Sequence, residues 1–204
     1  MALARLTPPF EPVFDAEAID ACRRGDLAAI GSVLRDHAAE LERLLGRIVG
    51  KAPDVQDLLQ DTFEAAIRGF ATYRGKAPIG GWLAAIAVRV AYRHLRHPAR
   101  RPRTSLELVV EQGTQQQHND AAGELRSEPQ VLERIYRHLG ALSPKNRIAF
   151  VLHVVEERPI AEVAALMGAT QAATKSRVFL ARRHLVRRAG RDPVLREFAS
   201  GRNP

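Results

Sequence analysis

The sequence predicts an all-α protein of two small helical domains joined by a flexible linker, the second being a helix-turn-helix domain. Apolar residues recur at steps of three and four along most of the chain, and no stretch alternates as a strand does. Residues 98–128 lack this period and contain Pro102, Gly113, Gly123 and three consecutive glutamines. This composition between two periodic regions is typical of a linker.

The first domain is predicted over residues 15–97, after an N-terminal arm over residues 1–14 that contains three prolines. Asp15 and Asp26 are suited to cap helix N-termini. A long amphipathic helix after Asp26 is predicted from the apolar residues Leu27, Ile30, Leu34, Ala38, Leu41, Leu45 and Ile48.

The next helix begins at Asp54 and carries two different faces. Its apolar face is predicted to comprise Val55, Leu58, Leu59, Thr62, Phe63, Ala66, Ile67 and Phe70. The residues Asp54, Asp57, Asp61 and Glu64 follow the same spacing on another face. Such an acidic stripe is either a solvated surface or a docking surface for a basic partner, and the spacing does not decide between the two.

A glycine-rich loop, residues 72–81, precedes the last helix of the first domain. The buried face of that helix is predicted to comprise Trp82, Leu83, Ile86, Ala87, Val90, Ala91 and Leu95. Its other face carries Arg89, Arg93, Arg96 and His97. No acidic residue occurs between Glu64 and Glu107, a stretch with nine Lys or Arg residues. This block predicts a phosphate-contacting surface.

The second domain is predicted over residues 129–190, followed by a C-terminal tail over residues 191–204. One helical face is predicted from Val131, Leu132, Ile135, Leu139 and Leu142. Ser143 and Pro144 form a typical helix start, which leads to Ile148, Val151, Leu152 and Val155. Pro159 opens a short helix with its inward residues predicted to be Ile160, Val163, Ala164 and Met167.

A tight turn at Gly168–Thr170 separates this short helix from a basic helix predicted over 171–189. Its core residues are expected to be Val178, Ala181 and Leu185. Helix, glycine-containing turn and basic helix are the sequence form of a DNA-reading helix-turn-helix. Thr170 is suited to cap the second helix, so that its first turn faces the DNA. The residues expected to reach base edges are Gln171, Thr174, Lys175 and Ser176.

Later positions of this helix carry an aromatic residue and a series of arginines. Phe179 either contacts a thymine methyl group or packs against Arg183 or a neighbouring helix. The side chains expected to contact phosphates, rather than bases, are Arg182, Arg183, Arg187 and Arg188.

The overall charge agrees with a polyanionic partner. The formal net charge is +8, and a second acid-free basic block lies between Glu162 and Asp192. Two such blocks far apart in sequence favour nucleic acid over a generally basic surface. Cys22 is the single cysteine, so no intramolecular disulfide forms. We expect a soluble cytoplasmic protein because there is no signal-peptide pattern and no membrane-spanning apolar run. His94 and His97 lack further ligands, and no catalytic motif occurs, so no metal, cofactor or enzymatic activity is expected.

Four motifs occur in order along the chain. They are Asp54-Val55-Gln56-Asp57-Leu58-Leu59-Gln60-Asp61-Thr62-Phe63; Tyr73-Arg74-Gly75 with Trp82-Leu83-x-x-Ile86-Ala87; Leu139-x-x-Leu142-Ser143-Pro144-x-x-Arg147; and Glu162-Val163-Ala164 with Gly168, Thr174-Lys175-Ser176-Arg177 and Ala181-Arg182. Together they cover about residues 20–97 and 130–189. In this order they resemble bacterial RNA polymerase sigma factors of the extracytoplasmic-function (ECF) subfamily.

The resemblance implies an alternative sigma factor that binds core RNA polymerase and promoter DNA, with an anti-sigma factor as a further partner. The residues implied in polymerase binding are Asp54, Asp57, Gln60, Asp61 and Glu64. The first domain would open the promoter −10 element with Tyr73, Arg74, Lys76, Ile79, Trp82, Arg89, Arg93 and Arg96. The second would read the −35 element with Thr170, Gln171, Thr174, Lys175, Ser176, Arg177, Phe179, Arg182 and Arg183.

The chain departs from the family pattern at several positions. Arg89 stands where the family usually has Asn, and Ile79 where an aromatic residue is frequent. Leu180 replaces a residue that is often basic, and Ala172-Ala173 replaces a frequent Pro-Gly. The alternative hypothesis is a dimeric helix-turn-helix regulator that is not a polymerase subunit. The acidic stripe and the motif around Trp82 argue against it.

Overall fold

The structure is a computed structural model that describes residues 16–50, 54–75, 77–96 and 128–192. Every regular element in these ranges is helical, which confirms the predicted all-α fold. The described residues form two compact units, the first mainly from the N-terminal half of the chain and the second mainly from the C-terminal half. The predicted arm, Asp15, Lys76, His97 and nearly all of the predicted linker and tail lie outside the described residues. So do the side chains of Val131 and Leu132.

The first unit contains α1 (Ala16–Arg23), α2 (Leu27–Val49), α3 (Asp54–Gly69), a 3-10 turn (Phe70–Thr72) and α4 (Ile79–Arg96). Asp26 caps α2 as predicted, because its carboxylate accepts hydrogen bonds from the backbone N–H groups of Ala28 (2.9 Å) and Ala29 (3.1 Å). Gly50, with a φ of 91°, ends α2 in a conformation that favours glycine. The core includes the fully buried side chains of Leu41, Leu45, Ile48, Phe70 and Leu83.

Three details of the first unit correct the sequence prediction. Leu27 is 76% exposed, because it is the first residue of α2 and lies before the buried face. Ile67 is also exposed. The last helix begins at Ile79 rather than Trp82, and the backbone N–H of Trp82 donates to the carbonyl of Pro78 at 3.0 Å. Gly80 and Gly81 belong to its first turn, although their composition suggested a loop.

The second unit contains α5 (Glu128–Gly140), α6 (Pro144–Phe150), a π-helical turn (Val151–Val155), α7 (Ile160–Leu166) and α8 (Gln171–Ala189). Ser143 is the N-cap of α6 and Pro144 its first residue, as predicted, but the Ser143 side chain makes no capping hydrogen bond. Leu139, Leu142 and Ala181 form a buried cluster, which brings α5 and α8 together.

Two residues of this unit differ from the predicted buried faces. Ile135 is 42% exposed and Val155 is 44% exposed. A π-helical turn contains more residues per turn than an α-helix, so Val155 at its end leaves the face that an uninterrupted α-helix would give it.

A carboxylate just beyond α8 contacts α5. Asp192 Oδ2 lies 2.9 Å from His138 Nε2 and 3.8 Å from an Arg134 guanidinium nitrogen. The Asp192 side chain is only 6% exposed. This contact holds the C-terminal end of α8 against α5.

Candidate functional site

The surface of α3 presents most of the predicted acidic stripe to solvent. Asp57, Gln60, Asp61 and Glu64 are all exposed. Gln60 Nε2 donates to Glu64 Oε1 at 3.4 Å, and the Arg68 guanidinium lies 3.6 Å from the same carboxylate. These four residues, which we call the acidic face, are accessible to a partner.

Asp54 differs from the acidic face although it shares its spacing. Its Oδ2 lies 3.3 Å from His94 Nε2 on α4, and its side chain is 15% exposed. The carboxylate therefore contacts a neighbouring helix of its own unit. The prediction that Asp54 belongs to the docking surface is not favoured by this geometry.

The outer side of α4 carries the predicted basic residues. Arg89, Arg93 and Arg96 are exposed and follow each other at steps of four and three, which places them on one side of the helix. The Arg89 Nε–H donates to the carbonyl of Ala85 at 3.1 Å. Since most other positions of α4 are buried or half-buried, these arginines form a narrow cationic strip along the helix.

The segment that leads into α4, residues 73–78, is described by the structure except for Lys76, and it lies beside a cluster of aromatic side chains. The Trp82 ring lies 5.1 Å from the rings of both Phe70 and Tyr73, measured between centroids. The Tyr73 hydroxyl donates to the carbonyl of Ala77 at 2.6 Å, which closes the loop upon itself. Gly75 has a φ of +67°, so a side chain at this position would strain the backbone.

Two predicted DNA contacts, one in this loop and one at the start of α4, face inward. Tyr73 is 8% exposed and Ile79 is 5% exposed, so the prediction that their side chains contact the −10 element requires correction. Both were assigned to the −10 contacts because of the resemblance to the family, but their side chains pack into the core of the unit. Arg74, in contrast, is exposed as expected, and Trp82 is half-buried.

Burial also changes the chemistry of the Tyr73 hydroxyl. Loss of hydration raises the pKa of Tyr73 above its ordinary value of 10.0, and the nearby Arg23 cation partly opposes this. The hydroxyl therefore stays protonated at neutral pH and keeps its hydrogen bond to Ala77.

The N-terminus of α8 has the predicted cap. The Thr170 hydroxyl oxygen accepts a hydrogen bond from the Ala173 backbone N–H at 3.2 Å, and Thr170 has extended backbone angles. Before it, Gly168 has a φ of +57°, as a tight turn between two helices requires. The turn thus presents the start of α8 to solvent.

Most predicted readers on α8 are exposed, with one exception. Thr174 is completely buried, and its hydroxyl donates to the carbonyl of Thr170 at 3.0 Å. The prediction that Thr174 reaches a base edge is wrong, because its position turns toward the core beside Val178. Arg177 is half-buried, and the exposed members of the set are Thr170, Gln171, Lys175, Ser176, Phe179, Arg182 and Arg183.

Phe179 lies on the open surface of α8. It is 63% exposed, and the Arg183 guanidinium carbon lies 6.0 Å from its ring centroid. Val186, 73% exposed, lies two turns further along the same side. Val186 was not identified from the sequence as an exposed apolar residue. Its spacing of seven residues from Phe179 places both side chains on the same side of α8.

Two features are absent from the described part of the chain. No group of His, Cys, Asp or Glu side chains there is arranged to hold a metal ion. Among the same residues, no helix combines the length and the apolar character needed to cross a membrane.

Two family models match the chain. The model for Sigma-70 region 2 matches residues 33–101, and the model for Sigma-70 region 4 matches residues 132–185. A helix-turn-helix regulator that is not a polymerase subunit would not require the first of these, so the alternative hypothesis loses its support.

Curated relatives agree with these matches along most of their length. ECF RNA polymerase sigma factor SigM of Mycobacterium tuberculosis H37Rv is 28% identical over 176 residues, which cover 86% of this chain and 85% of the relative. The ECF RNA polymerase sigma-E factor of Escherichia coli K12 is 26% identical over 181 residues, which cover 84% and 92%.

Solved structures of low sequence identity share the fold. CnrH, in complex with the cytosolic domain of CnrY, has a TM-score of 0.60 at 22% identity, over 86% of this chain and 97% of that chain. RpoE of Bartonella quintana, in complex with the anti-sigma factor NepR, has a TM-score of 0.52 at 23% identity, over 76% and 92%. With both regions matched in order, the chain belongs to the ECF sigma factors.

Proposed function

We propose that this sigma factor holds core polymerase and promoter DNA through three separate surfaces. The observation that carries the proposal is the segregation of charge within the first unit, where the acidic face lies on α3 and the arginine strip on α4. A surface that only binds DNA gains nothing from exposed carboxylates, since these repel phosphates. One unit with both faces is suited to join a basic protein surface to nucleic acid.

Core polymerase is the partner of the acidic face in this proposal. Asp57, Asp61 and Glu64 supply the negative charge, and Gln60 supplies a neutral donor and acceptor between them. Asp54 supports the acidic face indirectly, because its contact with His94 holds α3 against α4.

The first unit also opens the −10 element. The separated strand needs cations beside its phosphates. Arg89, Arg93 and Arg96 supply such cations in a row along α4. The loop 73–78 receives the unstacked base, with Tyr73, Ile79 and Trp82 as its internal support and Arg74 at its surface. Arg89 and Ile79 differ from the family pattern, so the preferred base here is specific to this chain.

The second unit reads the −35 element with the start of α8. The backbone N–H groups of its first turn and the helix dipole favour a phosphate at that point. Gln171, Lys175 and Ser176 are exposed near the N-terminus and reach base edges, while Arg182 and Arg183 contact phosphates. The exposed ring of Phe179 meets a thymine methyl or a sugar.

The functions of the two domains follow from these three surfaces. We assign residues 15–97 to the polymerase and −10 functions and residues 129–190 to the −35 function. The protein recruits core polymerase and performs no catalysis itself, and we expect it in the cytoplasm. Since the RpoE of B. quintana was solved with a bound anti-sigma factor, we propose such a partner here as well.

Transcription with purified components tests the proposal. The protein and core polymerase are incubated with a library of genomic fragments, and transcript 5′ ends are sequenced. We expect a set of start sites with two shared upstream motifs, absent with core polymerase alone. If the protein adds no promoter-specific start sites, the proposal is wrong.

A further inference from the structure

The last residue of α1 reaches across the first unit to the loop 73–78. Arg23 Nε–H donates to the backbone carbonyl of Tyr73 at 2.8 Å, although the two residues are 50 positions apart. The Arg23 guanidinium carbon also lies 5.8 Å from the centroid of the Tyr73 ring. No sequence motif connects α1 with this loop, so only the fold brings them together.

Arg23 also approaches the loop at a second point. A β-carbon placed on Gly75 would lie 3.7 Å from an Arg23 guanidinium nitrogen. Gly75 has a positive φ and lies at a bend of the backbone. One guanidinium therefore lies beside both the beginning and the bend of the loop.

The orientation of the guanidinium is fixed from its own helix. Another of its nitrogens donates to Asp20 Oδ1 at 2.7 Å, one turn earlier on α1. A planar group with several N–H donors at fixed angles satisfies both acceptors at once, which a lysine ammonium on a flexible stem does not. Arg23 is suited to set a geometry as well as to supply a charge.

The contact acts on the exposed part of the loop. Tyr73 is held at its carbonyl by Arg23 and at its hydroxyl by Ala77. Arg74 follows directly and is exposed, so its direction depends on how the Tyr73 backbone is held. A loop ordered before binding loses less conformational entropy when it captures a ligand.

We propose that Arg23 is a positioning residue for the −10 loop, holding residues 73–75 in the conformation that receives an unstacked base. This inference rests on the function proposed above for the loop. It adds α1 to the promoter-opening apparatus, with Arg23 acting through Tyr73 and Gly75.

Three variants separate positioning from charge. Arg23→Gln removes the cation, and Arg23→Lys keeps it but loses the Nε–H donor. Arg24→Gln removes the same charge from the adjacent exposed residue and is the matched control. Each is assembled with core polymerase and titrated with a single-stranded oligonucleotide that carries the −10 motif recovered by start-site mapping, and with oligonucleotides substituted at each base.

We expect Arg23→Gln and Arg23→Lys to weaken capture by about tenfold, the size of one charge-assisted hydrogen bond, and to reduce discrimination between bases. Arg24→Gln should match the wild type. Affinity for core polymerase and for duplex −35 DNA should stay unchanged in all three, which a general folding defect would not allow. Wild-type capture by Arg23→Lys would overturn the inference, since charge alone would then suffice.

The failure of the proposed function gives a different result. If the wild-type holoenzyme itself shows no preference for the −10 strand, the function of the loop is wrong, and the inference is overturned with it. If the wild type captures the strand and both Arg23 variants do too, only the inference is wrong.

A spectroscopic titration tests the contact without DNA. The Arg23 cation lowers the pKa of Tyr73, so Arg23→Gln should raise the pKa of this phenol further. Ultraviolet absorbance of the phenolate, with Tyr73→Phe to identify the signal, reports the change. An unchanged Tyr73 pKa in Arg23→Gln would show that the guanidinium does not lie beside the ring, which would also overturn the inference.

Discussion

The two basic helices, α4 and α8, are embedded in their units to very different depths. Nine of the 18 residues of α4 are buried apolar residues, whereas only three of the 19 residues of α8 are buried. On α4 the exposed arginines form a strip on a helix that belongs to the core. The adjoining loop packs against the aromatic ring of Trp82, which in turn contacts Phe70. On α8 the proposed readers cover most of the surface. Substitutions of residues packed around the start of α4 therefore affect stability and DNA opening together, while substitutions of the exposed residues of α8 affect recognition alone.

Truncating one aromatic residue in each region should give the largest contrast. Trp82→Ala removes the ring that packs on Phe70 and Tyr73, and we expect a loss of about 3 kcal/mol in unfolding free energy. Phe179→Ala removes a mostly exposed ring on α8, and the change should stay within about 0.5 kcal/mol. Urea denaturation followed by circular dichroism measures both. Equal losses would refute the difference in embedding.

Charge reversal on the acidic face should weaken polymerase binding without loss of stability. Asp57→Arg places a cation where a basic partner is expected, so the affinity for core polymerase should fall by about tenfold or more. Asp36→Arg makes the same change at an exposed residue of α2 and should bind normally. Fluorescence anisotropy with labelled protein measures the affinities. A similar decrease in both variants would indicate a nonspecific charge effect.

Single cations on the two helices should have separable salt effects. Arg182→Ala should reduce the slope of log affinity against log salt by about 0.9 for duplex −35 DNA and leave single-stranded −10 DNA unaffected. Arg93→Ala should reduce the slope by about 0.7 for the single strand only. Titrations at several salt concentrations check both slopes. A change of both slopes by either variant would contradict two independent surfaces.

The smallest effect is expected at Thr174. Thr174→Val keeps the shape but removes the hydrogen bond to Thr170, so unfolding free energy should fall by about 1 kcal/mol or less. Base preference at the −35 element should not change, whereas Ser176→Ala should alter it. Binding selection from randomised −35 duplexes compares the two. A shifted preference in Thr174→Val would restore Thr174 as a reader.

The difference in burial between α4 and α8 also explains which features the sequence predicts well. Helical periodicity and cap residues identify nearly all helix starts, as at Asp26 and Thr170, because these signals are local. On α8 the core line of Val178 and Ala181 leaves the readers exposed, and only Thr174 was misplaced. Local spacing is informative where a helix buries one narrow stripe.

Local spacing does not predict which side chains of the loop before α4 are buried, or what they contact. The family resemblance assigned Tyr73 and Ile79 to the DNA contacts, and nothing in the local spacing reveals that their side chains turn inward. The contact between Arg23 and Tyr73 joins positions 50 residues apart, and the Asp54 contact with His94 joins separate helices. Such contacts depend on tertiary packing, and only the structure reveals them.

The carboxylate of Asp192 decides where the second unit can be separated from the rest of the chain. The region 4 match ends at residue 185 and helical periodicity ends near residue 190, yet the buried partner of His138 lies two positions further on. A fragment that stops at Gly190 loses this carboxylate, so the end of α8 is no longer fastened to α5. Fragments of this unit intended for nuclear magnetic resonance or crystallisation should therefore extend at least to Asp192.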